Sequence, residues 1–226
     1  IGESELGYVT TSVQLGFVVG TLLFAFFGIA DRFSPSNVFL TCTLSGALTT
    51  LALVWIPPSL DLLLVLRFAT GFFLAGIYPV GMKIAASWFQ EGLGRALGYL
   101  VGALVLGTAF PHLLATTGNE VNWHQVLWFV SVLAATGGLV IRIGVADGPY
   151  LPKGSPFNPN ALRVIFKSPE FRASAFGYFG HMRARCACWA FLPVWLAAAV
   201  VNADTELDVS LWAFLVIAAG SLGCAG

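Results

Sequence analysis

Apolar residues in this chain gather into segments long enough, or nearly so, to cross a bilayer. Nothing else in the sequence limits its fold as strongly. Seven are delimited: Val13–Ala30, Val38–Ile56, Leu62–Trp88, Ala96–Ala115, Val126–Val145, Ala173–Val200 and a last one from Val209. A spanning helix needs about 20 mainly apolar residues at 1.5 Å rise each. With 58% hydrophobic and 10% charged residues, and a mean hydropathy of +0.84, the chain cannot cover its apolar surface in water. The expected fold class is an all-α polytopic membrane protein, an integral multi-pass chain of the cell (plasma or inner) membrane.

Orientation follows from the basic residues. The breaks after the first, third and fifth segments carry Arg32, then Arg95 with Lys83 just inside the helix end, then Arg142, Lys153, Arg163, Lys167 and Arg172. The alternate breaks carry Glu3, Glu5, Asp61, Glu120, Asp204, Glu206 and Asp208, and no Lys or Arg. Basic residues mark cytoplasmic loops, so the first group of breaks is expected inside and the second outside. The net charge of zero adds nothing, because the information lies in its distribution.

The longest polar stretch, Ala146–Glu170, holds Pro149, Pro152, Pro156, Pro159 and Pro169 with Gly148 and Gly154. That composition reads as a linker between helical bundles. The expected division is a bundle over 1–145, a linker over 146–170 and the start of a second bundle over 171–226. Within the linker, Asn160–Lys167 reads either as a short amphipathic helix on the membrane surface, facing anionic headgroups with Arg163 and Lys167, or as plain connection. The sequence begins at Ile1 rather than Met and stops inside an apolar run, so an internal piece of a longer protein is expected. Cys42, Cys186, Cys188 and Cys224 all lie in apolar segments, where reduced, packed thiols are expected.

Small residues punctuate the helices. Gly16 and Gly20 form one GxxxG. Gly98 and Gly102 form another, followed by Gly107 and Pro111. Small residues let membrane helices approach closely, and Pro111 removes a backbone donor and permits bending.

Three motifs now carry a resemblance. Gly28-Ile-Ala-Asp31-Arg32-Phe33-Ser34-Pro35 sits in a short turn between two spans, Arg67-Phe-Ala-Thr-Gly71 lies two spans later, and the glycine-rich Gly94–Pro111 stretch follows. In order and sidedness they resemble the loop, fourth-helix and fifth-helix motifs of the major facilitator superfamily, and the linker resembles its central loop. The resemblance covers essentially the whole chain. It implies a two-bundle transporter fold, here incomplete, with helices two to eight of twelve present. It also implies a conformational motif: Asp31 and Arg32 latch the cytoplasmic side, and Gly98, Gly102, Gly107 and Pro111 govern bending. A solvated turn is the other reading of Asp31-Arg32. The chain departs from the loop motif at Ser34, where the family usually has glycine, at Pro35 and Ser36, where it has basic residues, and at Phe27, where its leading glycine would fall.

Ionisable residues inside a span are costly, about 2.5–3.5 kcal/mol at a helix centre on insertion scales, and so draw attention first. Arg67, Gly71, Leu74 and Tyr78 are spaced to share one helical face. Tyr178, His181, Arg185 and Trp189 form a second stripe. By the resemblance both helices border the central cavity, so Arg67, Tyr78, Tyr178, His181 and Arg185 are candidates to contact a small, anionic solute. A proton relay through His181 is a further possibility. Structural hydrogen bonding is the alternative for Arg67, and snorkelling or a structural pair is expected of Lys83. His112, beside Pro111, reads as a capping or interfacial residue. Relatives usually carry a less basic stretch where this chain has Arg183 and Arg185.

The sequence offers no phosphate loop, nucleophile motif or metal-ligand cluster. His181 with Cys186 and Cys188 comes nearest to the last, and packing accounts for those thiols better. No enzyme activity, cofactor or nucleic-acid partner is expected. The partners expected are a small molecule and membrane lipid. A secondary active transporter by alternating access is the leading function. A seven-helix receptor is the alternative, and the last segment lacks the lysine that a retinal protein would need.

Overall fold

The computed structural model describes residues 3–55, 59–116, 123–151, 164–203 and 208–225, and among them helix is the only regular structure. The helices are α1 (Glu3–Phe27), α2 (Ile29–Arg32), α3 (Pro35–Trp55), α4 (Leu60–Leu74), α5 (Tyr78–Trp88), α6 (Leu93–Ala115), α7 (Trp123–Val140), α8 (Pro169–Ala203) and α9 (Val209–Ala225). Five spans, with α4–α5 counted as one, are long and apolar enough to cross a membrane. The described residues thus make an all-α, integral multi-pass membrane protein.

Three expected segments change shape. The third breaks in two at Ala75–Ile77. Pro79 has no N–H to give the Ala75 carbonyl, and the chain tightens into i→i+3 bonds from Ala75 to Phe72, Gly76 to Phe73 and Ile77 to Leu74. The sixth becomes a single long helix bent by 43° between Trp189 and Phe191, where Pro193 denies a donor to the Trp189 carbonyl. The seventh is a shorter apolar helix, Val209–Cys224.

The chain forms two compact units, Ile1–Leu97 with Val121–Phe157, and Gly98–Glu120 with Asn158–Gly226. This grouping crosses the expected 1–145 boundary. Most of α6 belongs with the later helices, because it lays its glycine face on α9. A methyl group on Gly98 would come 2.2 Å from the Cys224 carbonyl oxygen, and one on Gly102 3.3 Å from that of Ser221. Numbering rises along α6 as it falls along α9, so the two helices are antiparallel. Val105, Ala109 and Ile217 form the core of this unit, with Trp189 and Leu192 against it.

In the first unit, α1 and α4 run parallel. The Ser12 hydroxyl donates to Leu64 O at 2.7 Å. Gly16 faces Phe68 and Gly20 faces Phe72, both at distances that leave no room for a Cβ. The first GxxxG is thus a backbone-to-backbone seam. α3 is the central helix. It runs antiparallel to α4–α5 through Thr49–Thr70, whose hydroxyls lie 3.0 Å apart, and through Gly46–Phe73, Cys42–Gly76 and Phe39–Gly81. It runs antiparallel to α7 through Thr43–Gly138 and Trp55–Trp128. Val38, Phe39, Cys42, Val80 and Ile84 make the core. These directions are those that simple alternation of spans requires. Leu15, Val18, Leu22 and Phe26 recur at helical spacing on the exposed side of α1, an apolar outer face suited to lipid or neighbouring helices rather than water.

Candidate functional site

α1 stops at Phe27 because Gly28 adopts a left-handed conformation, φ +58°, open to glycine at no steric cost. The single turn of α2 then presents Asp31 and Arg32. The Lys83 ammonium, from the cytoplasmic-facing half of α5 in the expected topology, donates to Asp31 Oδ1 at 2.5 Å and to Ala30 O at 2.6 Å. An exposed ion pair is worth about 0–1 kcal/mol. The bond to Ala30 makes the arrangement directional, so it positions α2 against α5 more than it stabilises the fold. Thr21, Phe24, Asp31, Ala75, Pro79 and Lys83 line a small cleft here of about 240 Å³. Of the two roles expected for Lys83, the structural pair is the one observed. Arg32 is exposed.

Next to this pair a second polar cluster ties three helix ends together. At the start of α3, Ser34 stands at the N-cap and Pro35 at the first position, where its missing N–H costs nothing. The orphan N–H of Ser36 donates to Asp147 Oδ1 at 2.8 Å, and the Ser34 hydroxyl donates to Asp147 Oδ2. A carboxylate from far along the chain thus caps the positive end of α3. Burial pushes the Asp147 carboxyl up, but the bonds from Ser34 and Ser36 and the charge of Arg142 outweigh it and hold the group below its ordinary value. Arg142 also donates to Asn37 Oδ1 at 2.5 Å.

The same short loop caps α5 from the opposite direction. Gly148 N donates to the Ser87 hydroxyl at 3.0 Å, and Tyr150 N donates to Ser87 O at 3.0 Å. A Cβ on Gly148 would sit 2.3 Å from that carbonyl oxygen. The loop reaches this position by a π-helical turn, Ile141–Val145, closed by Ala146 N to Ile141 O at 2.8 Å. It then passes through Ala146 at φ 54°, ψ −160°, a region that is essentially glycine's own and costs other residues on the order of 1–3 kcal/mol. The first residues of the expected linker are therefore a docked strap.

The solute candidates fall in both units. In the first, Arg67 and Tyr78 are half-buried. The Ala75–Ile77 turn separates Arg67, Gly71 and Leu74, on α4, from Tyr78, the first residue of α5. Gly71 faces the α1 backbone, where a Cβ would come 2.0 Å from Val13 O. Arg67 Nε is closed off from solvent without a hydrogen-bond partner among the described residues. In the second unit, Tyr178, His181, Arg185 and Trp189 lie along α8. Arg185 stacks over Trp189 at 4.9 Å, a cation–π contact, and its Nε likewise has no partner among the described residues. Tyr178 and His181 are exposed. Of the expected bending residues, Gly98 and Gly102 are packing positions, whereas Gly107 has open space around it and Pro111 is exposed within an unbroken α6.

Cys42 is buried, Cys188 exposed and Cys224 half-buried, and all three are free. No group of three or more His, Cys, Asp or Glu residues suited to a metal occurs among the described residues. Asp204–Leu207, Arg163 and the side chain of Cys186 lie outside the described set. Sequence reasoning missed Ser34, Ser36, Ser87 and Asp147. The departures of Ser34 and Ser36 from the loop motif are what receive Asp147, and a Ser-Pro-Ser helix start was the available signal.

Comparison with known proteins agrees with this architecture. A family model described as Major Facilitator Superfamily matches residues 1–226. The chain is 28% identical over 96% of its length to the uncharacterized MFS-type transporter YceJ of Bacillus subtilis, covering 54% of that protein. It is 33% identical over 66% of its length to the niacin transporter NiaP of Acinetobacter baylyi, covering 34% of that protein. It is 26% identical over 74% of its length to the uncharacterized transporter YgaY of Escherichia coli, covering 41% of that protein. The chain thus spans about half the length, or less, of these relatives. Nothing among them supports a seven-helix receptor. The chain belongs to the Major Facilitator Superfamily.

Proposed function

We propose that the protein is a secondary active carrier that moves a small organic anion across the membrane by exposing its site to one side and then the other. Family membership and the transporter names of the relatives support the carrier class. The observation that carries the choice of an anion is the unspent hydrogen-bonding capacity of Arg67 and Arg185, each with a sequestered Nε that has no partner among the described residues. Arginine meets carboxylate with a planar, permanently charged fork, and an unsatisfied buried donor carries a cost that a ligand relieves. Tyr78 in the first unit and Tyr178 in the second each supply an aromatic ring that carries a hydroxyl. One relative is a niacin transporter, and niacin is a small aromatic carboxylate of this chemical class. Proton coupling is assigned to His181, whose imidazole can both accept and donate a proton. Asp31 is assigned to hold the cytoplasmic side through its bond to Lys83.

The test uses the full-length protein in proteoliposomes. Arg67→Lys keeps the charge and loses the fork, so carboxylate affinity should fall about tenfold, the equivalent of one charge-assisted hydrogen bond of ~1.5 kcal/mol. His181→Ala should flatten the pH profile of flux. Unchanged affinity in Arg67→Lys together with an unchanged pH profile in His181→Ala removes both residues from the solute path.

A further inference from the structure

We propose that residues 164–172 form an interfacial anchor that binds the anionic phospholipid headgroups of the membrane surface. Residues 164–167 make one helical turn immediately before α8. Val164, Ile165 and Phe166 in that turn, and Phe171 in the first turn of α8, are all exposed. Phe166 and Phe171 meet edge to face with ring centroids 5.4 Å apart, which joins the turn and the helix into one apolar surface. A free loop has no reason to hold four large apolar side chains outward in water.

Basic groups flank this surface. Lys167 and Arg172 are exposed, and neither has an ion-pair partner among the described residues. The nearby carboxylate of Glu170 is engaged locally, accepting from the Ser168 hydroxyl at 2.6 Å. Ser168 also accepts from Phe171 N at 3.2 Å as the N-cap of α8, and this cap fixes the corner between the surface turn and the span. The arrangement fits one partner. Apolar side chains enter the acyl boundary where the span emerges, and long basic side chains reach back to headgroup phosphates. Each basic residue near an anionic surface adds about fivefold to partitioning, on the order of 1 kcal/mol.

The test uses the full-length protein with Ile165→Cys carrying an environment-sensitive dye. Cys186, Cys188 and Cys224 are replaced, and the buried Cys42 is left in place. Dye exposure to aqueous iodide is compared in nanodiscs of phosphatidylcholine, in nanodiscs that also contain phosphatidylglycerol, and in detergent micelles. The proposal expects protection several-fold greater with phosphatidylglycerol, lost in high salt and lost in the Lys167→Gln/Arg172→Gln variant. Equal exposure in the two lipids overturns it. So does protection in micelles equal to that in phosphatidylglycerol, which would mean that the protein itself covers the patch, and so does indifference to the double substitution.

Discussion

Asp147 shows at the level of single residues why part of the polar cluster was legible and part was not. Asp31 and Arg32 announce themselves, since they stand in a short break after a glycine between two apolar runs. Asp147 looks like any acid in a Pro/Gly-rich linker, because its partner Ser36 lies 111 positions away and no local pattern records so distant a contact. Its role has a measurable consequence. A carboxyl held below its ordinary value stabilises the fold in its ionised form. Its contribution is therefore complete above the unfolded carboxyl pKa and fades as pH falls through the folded one. Asp147→Ala should cost about 1 kcal/mol in thermal unfolding at neutral pH, and Asp147→Asn less, since an amide oxygen still accepts from Ser36. The difference between Asp147→Ala and the parent should shrink in acid, and a difference that grows in acid contradicts the assignment. Ala146 gives the opposite sign. Its positive φ predicts that Ala146→Gly raises the unfolding temperature, by relief of about 1 kcal/mol or more of backbone strain, although the same exchange in a helix interior lowers stability.

Among the helices, apolar length placed nearly every element. It placed the ends less well, because hydropathy is blind to a helix that begins in a polar segment, as α1 does at Glu3. The division of the third span could have been read from Gly76 and Pro79. A stripe that runs from Arg67 to Tyr78 requires a continuous helix across that point, and the chain breaks there. Glycine spacing was informative in α1 and α6, but spacing alone does not separate packing glycines from idle ones. Gly71 and Gly107 make the distinction testable. A methyl on Gly71 meets backbone, which cannot step aside, at 2.0 Å, whereas one on Gly107 meets nothing within 4 Å. Gly71→Ala should push α1 from α4 and lower stability by at least about 1–3 kcal/mol, the range for overpacking. Gly107→Ala should leave it unchanged or raised by up to about 1 kcal/mol through helix propensity. Thermal unfolding of the two variants, run together, checks the pair, and equal losses in both would contradict the seam.

At the scale of the whole molecule, the alternation of basic residues and the observed helix directions agree. Parallel α1 and α4 are odd-numbered spans, and α3 is antiparallel to both of its neighbours. One end of the first unit gathers Asp31, Lys83, Arg142 and Asp147, while the other shows Trp55 against Trp128, the aromatic arrangement common at a membrane boundary. Fold class and family were therefore legible from pattern and motif. The solute was not, because it is chosen by a few side chains, and arginine, tyrosine and histidine suit many anions. The function proposed above is that of a carrier for a small anion rather than of a pore or a receptor. Counterflow of a small aromatic carboxylate by the full-length protein in proteoliposomes tests that proposal. Vesicles preloaded with unlabelled solute should transiently accumulate the labelled solute above its equilibrium level, and Arg67→Lys should blunt the overshoot. Labelled solute that simply equilibrates, at a rate indifferent to preloading, would rule out a carrier.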